Sequence, residues 1–119
     1  MSKKILVTDD EMFMRSMLRG ILIENQYAVY EACNGQEAIE QYVIHKPDLV
    51  IMDIAMPVMD GIVATRAIRE LNPEALIVMC SGTRNKSMIL ESVNAGAKDF
   101  VPKPFHSDRI VQCIRRHVA

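Results

Sequence analysis

Leu49-Val50-Ile51-Met52-Asp53 sets four consecutive apolar residues against an acid. A strand with one face in water alternates apolar and polar residues, so an unbroken run of this length belongs to a strand covered on both faces. That is the situation of a parallel sheet between two layers of helices. Upstream, Ile5-Leu6-Val7-Thr8 reads the same way and closes on Asp9-Asp10; downstream, Leu76-Ile77-Val78-Met79-Cys80 closes on Ser81. These three runs are expected at the centre of the sheet. Ala28-Val29-Tyr30-Glu31-Ala32 and Phe100-Val101-Pro102 are weaker and suit its edges, where a proline without an N–H is tolerated.

The segments between the runs have helical spacing. Met14, Met17, Leu18 and Ile21 predict one apolar stripe, and Ala38, Ile39, Tyr42 and Val43 another. Asn34 with Glu37 forms a capping box, Asn72-Pro73 stops one helix and Gly96 ends another. Asn34-Gly35 could head a hairpin, but the periodicity that follows it is helical. Gly20 costs about 1 kcal/mol inside the first helix, and its neighbours in sequence give no reason for it. The alternation yields five βα units: an α/β fold with a doubly wound, parallel, five-stranded sheet.

A chain of 119 residues fits one domain over 1–119, with no linker and no output domain expected. With 50% hydrophobic and 24% charged residues it is globular rather than disordered. A net charge of -1 leaves no basic stripe for a nucleic acid. No apolar run approaches the roughly 18 residues of a membrane span, and Met1-Ser2-Lys3-Lys4 leads into a stretch too short for a signal peptide. The expectation is a cytoplasmic protein without membrane insertion. Cys33, Cys80 and Cys113 form no C-x-x-C pair and are expected to be buried thiols; scattered His45, His106 and His117 predict no histidine-based metal site. The 9 methionines are expected mainly as core filler.

In open parallel α/β sheets, loops at the carboxyl ends of the strands converge on the ligand site. That rule selects Asp9, Asp10, Asp53, Ser81 and Lys103. Three carboxylates about 5 Å apart repel pairwise by roughly 3 kcal/mol at an effective dielectric of 20, so the cluster needs protons or a cation. Mg²⁺ suits it, being a small hard ion that takes few carboxylates together with substrate phosphate, whereas calcium wants more protein ligands. A carboxylate can itself accept a phosphoryl group, with a cation, Lys103 and a Ser81 hydrogen bond neutralising the transferred oxygens. Taken alone, Asp9-Asp10 would read equally well as a helix cap, and Asp60-Gly61 reads better as a turn and helix start than as a functional pair.

Asp9-Asp10, the run Met52-Asp53-Ile54-Ala55-Met56-Pro57-Val58-Met59-Asp60-Gly61, Ser81-Gly82, Ala95-Gly96-Ala97 and Lys103-Pro104-Phe105 resemble, in order and spacing, the receiver domain of two-component response regulators. The likeness covers essentially the whole chain and is nearest to the family's free-standing chemotaxis regulators. It implies phosphorylation of Asp53 by a histidine kinase or phosphotransfer domain, and a flavodoxin-like strand order 2-1-3-4-5. It also implies direct Mg²⁺ contacts from Asp10 and Asp53, a water-mediated one from Asp9, the Ala55 carbonyl as a further ligand, and a cis Lys103-Pro104 bond. Ser81 and Phe100 would form the switch, although Phe100 lacks the hydroxyl of the commoner tyrosine and Pro102 stands beside it.

Lys98, Phe100, Arg109 and Cys113 would lie where the family binds targets or dimerises. Phe13 falls off the first helical stripe and is expected to help dock the phosphodonor. The implied protein is a signalling element rather than an enzyme, catalysing only its own phosphorylation and dephosphorylation. A flagellar motor switch is the implied target, and the chain would be a monomer or a phosphorylation-dependent dimer. A phosphorelay carrier or a receiver from a larger regulator is the alternative. A phosphatase of the haloacid dehalogenase type is less favoured, because Ala55 stands where such enzymes place a second acid. A flavodoxin-like electron carrier is disfavoured by the repulsion of Asp9-Asp10-Glu11 for a flavin phosphate.

Overall fold

The computed structural model describes residues 2–118. Strands and helices alternate along them: β1 (Lys4–Thr8), α1 (Met12–Glu24), β2 (Ala28–Ala32), α2 (Gly35–His45), β3 (Leu49–Met52), α3 (Gly61–Leu71), β4 (Ile77–Ser81), α4 (Lys86–Ala95), β5 (Asp99–Pro102) and α5 (Ser107–His117). The strands form one parallel sheet in the order β2-β1-β3-β4-β5. β1, β3 and β4 are central and β2 and β5 are the edges, with Pro102 on the outer strand opposite Ser81. Ser81 is therefore the last residue of β4 rather than the first of the following loop, and β5 begins one residue earlier than its apolar run.

The unbroken apolar runs follow from the pleat, which sends successive side chains to opposite faces. Val50 and Met52 of β3 join Leu6, Ile77 and Met79 in a core with Ala38, Tyr42, Ile62 and Ile68 of α2 and α3. Leu49 and Ile51 point the other way and meet Ile5, Val7 and Val78, closed over by Leu18 and Leu22 of α1 and Ile110 and Ile114 of α5. Each fully buried Leu or Ile contributes about 1.5–3 kcal/mol, so a polar residue anywhere in β3 would cost one of the two layers.

The helical stripes differ in detail from their sequence pattern. Met17 is 37% exposed and Val43 is 56% exposed, while Leu22, outside the expected stripe, is fully buried. Which flank of a stripe is covered depends on the neighbouring helix, which periodicity does not specify. Met52 and Met79 are buried, Met56, Met59 and Met88 pack half-buried against the same core and Met14 against the other, while Met12 and Met17 lie on the surface, so most of the described methionines do fill or flank the core. Cys80 and Cys113 are buried, whereas Cys33 is only half-buried.

The helix ends act through short polar contacts. Asn34 Oδ1 accepts from the Glu37 amide at 2.8 Å, but the Glu37 carboxylate returns to the Cys33 amide at 3.0 Å, one residue beyond a regular capping box. Asp60 caps α3 by accepting from the Ile62 and Val63 amides at 2.8 and 2.9 Å. Gly96 ends α4 with φ 113°, a conformation that a Cβ disfavours. No atom lies within 4 Å of where a Cβ on Gly20 would stand, so packing does not account for that glycine. Gly61 is the opposite case: its Cβ would fall 1.8 Å from the Asp53 carbonyl oxygen. The start of α3 is thereby pressed against the residue after β3.

Candidate functional site

The carboxyl ends of β1, β3, β4 and β5 carry the five side chains that the switch-point rule selects. Asp53 directly follows β3; its amide donates to the Thr8 carbonyl of β1 at 3.0 Å, and its Oδ1 accepts from the Ile54 amide at 2.8 Å. Asp9 follows β1, with its amide on the Ala32 carbonyl at 3.1 Å and its Oδ1 accepting from the Glu11 amide at 2.9 Å. It does not cap α1, whose N-cap is Glu11 without a side-chain cap bond. Lys103 follows β5 across the sheet; its amide donates to the Ser81 carbonyl at 3.0 Å, and the Lys103-Pro104 peptide is cis. Its Nζ lies 2.6 Å from Asp9 Oδ2 and 3.5 Å from Asp53 Oδ2.

Asp10 sits exposed at the rim, while Asp9 and Asp53 are buried. One carboxylate oxygen from each of the three lies within 4.8 Å of the others. A cleft of about 530 Å³ opens here, lined by Asp10, Asp53, Ala55, Ser81, Thr83 and Lys103 among others. The Ser81 Oγ accepts from the Thr83 amide at 3.3 Å, leaving its own O–H free to donate.

Burial pushes the Asp53 carboxyl up, Lys103 pulls it back and Asp9 pushes it up again, and the outcome is a raised pKa. Burial works against the Lys103 ammonium, but its hydrogen bond to Asp9 and the charge of Asp53 prevail and its pKa is raised too. Three carboxylates thus face one ammonium. The uncompensated charge and the all-oxygen donor set fit a hard divalent cation such as Mg²⁺, with Asp9, Asp10 and Asp53 as the residues that would hold it.

Arg15 escaped the sequence reading. From the first turns of α1 its Nη1 donates to the Asp9 carbonyl at 2.7 Å while its Nε pairs with Glu31 of β2 at 3.2 Å, clamping the acidic loop to the edge strand. An arginine one turn into the helix after an acidic loop is a weak signal, and its partner Glu31 becomes visible only once β2 lies beside β1.

The expected partner residues are scattered. Phe13 is 79% exposed in the first turn of α1, on the end of the sheet that carries the cleft. Lys98 is exposed, Arg109 is half-buried, and Phe100 is half-buried against the core that contains Met79. Cys113 requires a correction: only 1% exposed, it faces inward from α5 and donates to Asp99 Oδ2 at 3.3 Å, so it cannot form part of an open target surface.

The family model of the response regulator receiver domain matches residues 5–115. The chemotaxis protein CheY of Bacillus subtilis is 47% identical over 117 residues, covering 98% of this chain and 98% of its own. Among solved structures, chemotaxis protein CheY4 of Vibrio cholerae matches with a TM-score of 0.94 at 27% identity, over 99% of this chain and 100% of that one. A chain of the CheX-CheY-BeF3-Mg+2 complex from Borrelia burgdorferi matches with a TM-score of 0.91 at 29% identity, over 96% and 87%. The likeness in sequence thus extends along the same βα units whose loops build the acidic cleft, and the chain belongs to the response regulator receiver domain family, as a phosphoryl-accepting relative of the CheY chemotaxis regulators.

Proposed function

We propose that Asp53 is the residue that takes the phosphoryl group, with Asp9, Asp10, Asp53 and the Ala55 carbonyl holding Mg²⁺, on which receivers of this family depend in general. The supporting observation is the position of Asp53: a buried carboxylate at the floor of a cleft, with one oxygen held by a backbone amide and the other facing Lys103. In the reaction, a carboxylate oxygen of Asp53 forms the new O–P bond while the P–N bond of a donor phosphohistidine breaks and its electron pair stays on the imidazole nitrogen. Bound Mg²⁺ supplies charge neutralisation on the transferred oxygens. Lys103 adds a fixed positive charge at the same oxygens, and the free O–H of Ser81 donates to one of them.

Ala55 lines the cleft where a phosphatase would need a second acid, so the chain offers no side-chain proton relay two residues after Asp53. The acyl phosphate persists long enough to signal, and the only chemistry carried out is the chain's own phosphorylation and dephosphorylation. Phosphorylation shifts an equilibrium in which Ser81 and Phe100 rearrange together. Exposed Phe13 helps dock the histidine kinase or phosphotransfer domain. Lys98, Phe100 and Arg109 contribute to the face that meets a downstream protein such as a flagellar motor switch. The protein acts in the cytoplasm; no helix among the described residues is long and apolar enough to cross a membrane.

Incubation with acetyl phosphate and Mg²⁺, followed by intact-mass measurement, tests the reading. One phosphoryl group is expected on the wild type and none on Asp53→Asn. Equal labelling of the variant would remove Asp53 from this role, and sustained phosphomonoester hydrolysis would favour a phosphatase.

A further inference from the structure

At the opposite end of β5 from Lys103, three side chains that phosphoryl transfer does not use converge. Cys113 and His117 stand four residues apart on α5, one helical turn, and so share a face. Asp99 opens β5 beneath them. Its Oδ2 lies 3.3 Å from Cys113 Sγ and 3.2 Å from His117 Nε2, and one ligating atom from each of the three falls within 4.8 Å of the others. The sequence expectation of no histidine-based metal site overlooked this spacing.

A tetrahedral zinc ion with a Zn–S bond of about 2.3 Å and Zn–N and Zn–O bonds of about 2.0 Å keeps neighbouring ligand atoms roughly 3.3–3.7 Å apart. The two contacts of Asp99 Oδ2, 3.2 Å to His117 Nε2 and 3.3 Å to Cys113 Sγ, lie at the short end of that range, and a shift of a few tenths of an ångström opens them to it. The donors are a soft sulfur, an imidazole and a carboxylate, which select zinc over the hard cation suited to the other end of the sheet. Cys113 is 1% exposed, so the sulfur forms the buried floor. The side chains of Asp99 and His117 remain 18% and 19% exposed, leaving a way in from solvent and a fourth position for water. We propose that Asp99, Cys113 and His117 form a second metal site, for Zn²⁺, joining the last turn of α5 to the start of β5.

On binding, the Cys113 S–H bond breaks, its electron pair becomes the S–Zn bond and its proton leaves to solvent. Arg116 is the built-in competitor. Its Nη1 lies 2.7 Å from the same Asp99 oxygen, but its side chain is 56% exposed and can turn into water when a cation arrives.

Cobalt(II) titration in excess Mg²⁺, with zinc back-titration, tests the site. The expected result is one equivalent of Co²⁺ with tetrahedral visible bands and a thiolate charge-transfer band, both abolished by Zn²⁺. The charge-transfer band should vanish in Cys113→Ser. Affinity should fall at least about tenfold in His117→Gln, since removing even an outer-shell partner costs 10–100-fold. Cys33→Ser and Asp53→Asn should leave the bands unchanged, and Arg116→Ala should tighten binding. Circular dichroism checks the fold of each variant, and the peripheral His117→Gln serves as the arbiter should the buried Cys113→Ser unfold. No thiolate band in the wild type, or undiminished affinity in His117→Gln, would overturn the proposal and leave the trio as a hydrogen-bonded anchor for α5.

Discussion

Replacing Gly61 by alanine should damage both stability and labelling, through one contact. The added Cβ would stand 1.8 Å from the Asp53 carbonyl oxygen and 2.9 Å from the Asp53 carbonyl carbon and Met52 Cγ. Cβ contacts essentially never fall under 3.0 Å, so the start of α3 or the residue after β3 must retreat by more than an ångström. Overpacking of this kind costs about 1–3 kcal/mol. The retreat also stretches the 2.9 Å bond from the Gly61 amide to the Ile54 carbonyl, worth about 1 kcal/mol. A total of about 2–4 kcal/mol, at a mid-range urea slope of about 2 kcal/mol per molar, moves the unfolding midpoint down by roughly 1–2 M.

A misplacement of about 1 Å at a reacting group costs up to about a hundredfold in rate, so acetyl phosphate labelling of Asp53 should slow by at least about tenfold at temperatures where Gly61→Ala is still folded. Urea unfolding followed by circular dichroism and a labelling time course by intact mass read the two effects. Gly20→Ala is the matched control: with no atom within 4 Å of the new methyl, it should gain about 0.5–1 kcal/mol and label normally. A Gly61→Ala protein with the wild-type midpoint and labelling rate would refute the view that this contact seats Asp53.

Two further outcomes can be checked on the same instruments. Val58 is 82% exposed and holds φ at 68°, a left-handed conformation that costs a β-branched residue roughly 1–2 kcal/mol; Val58→Gly should therefore raise the melting temperature despite the entropy of glycine. Lys103→Met leaves Asp9 and Asp53 buried without their ammonium, so stability in a chelator should fall by about 3 kcal/mol or more, and millimolar Mg²⁺ should recover part of the loss; an unchanged midpoint in chelator would contradict the ion pairing.

The sheet was legible because its evidence is local. Leu49–Met52 must be apolar at every position when both faces are covered, and the pleat makes that a property of four adjacent residues. The candidate site was legible for a related reason: in a parallel sheet the residue after each strand is delivered to the same edge, so Asp9, Asp53 and Lys103 could be paired from strand ends alone. The helical stripes were legible only to within a residue or two. Met17 and Val43 have the right spacing but lie at the flank that no neighbouring helix covers.

What amino-acid order could not convey are side-chain contacts between one element and the next, whose mutual placement is set by packing. The Arg15 clamp on Asp9 and Glu31, the pressure of Gly61 on Asp53, and the inward turn of Cys113 toward Asp99 and His117 each join different elements. Local periodicity reports which side of an element is apolar, and strand ends report where loops gather. The rotation of α5 about its own axis, which turned Cys113 from a presumed surface residue into the floor of a ligand cluster, is set by how side chains from β5 and α1 fill the space beneath it.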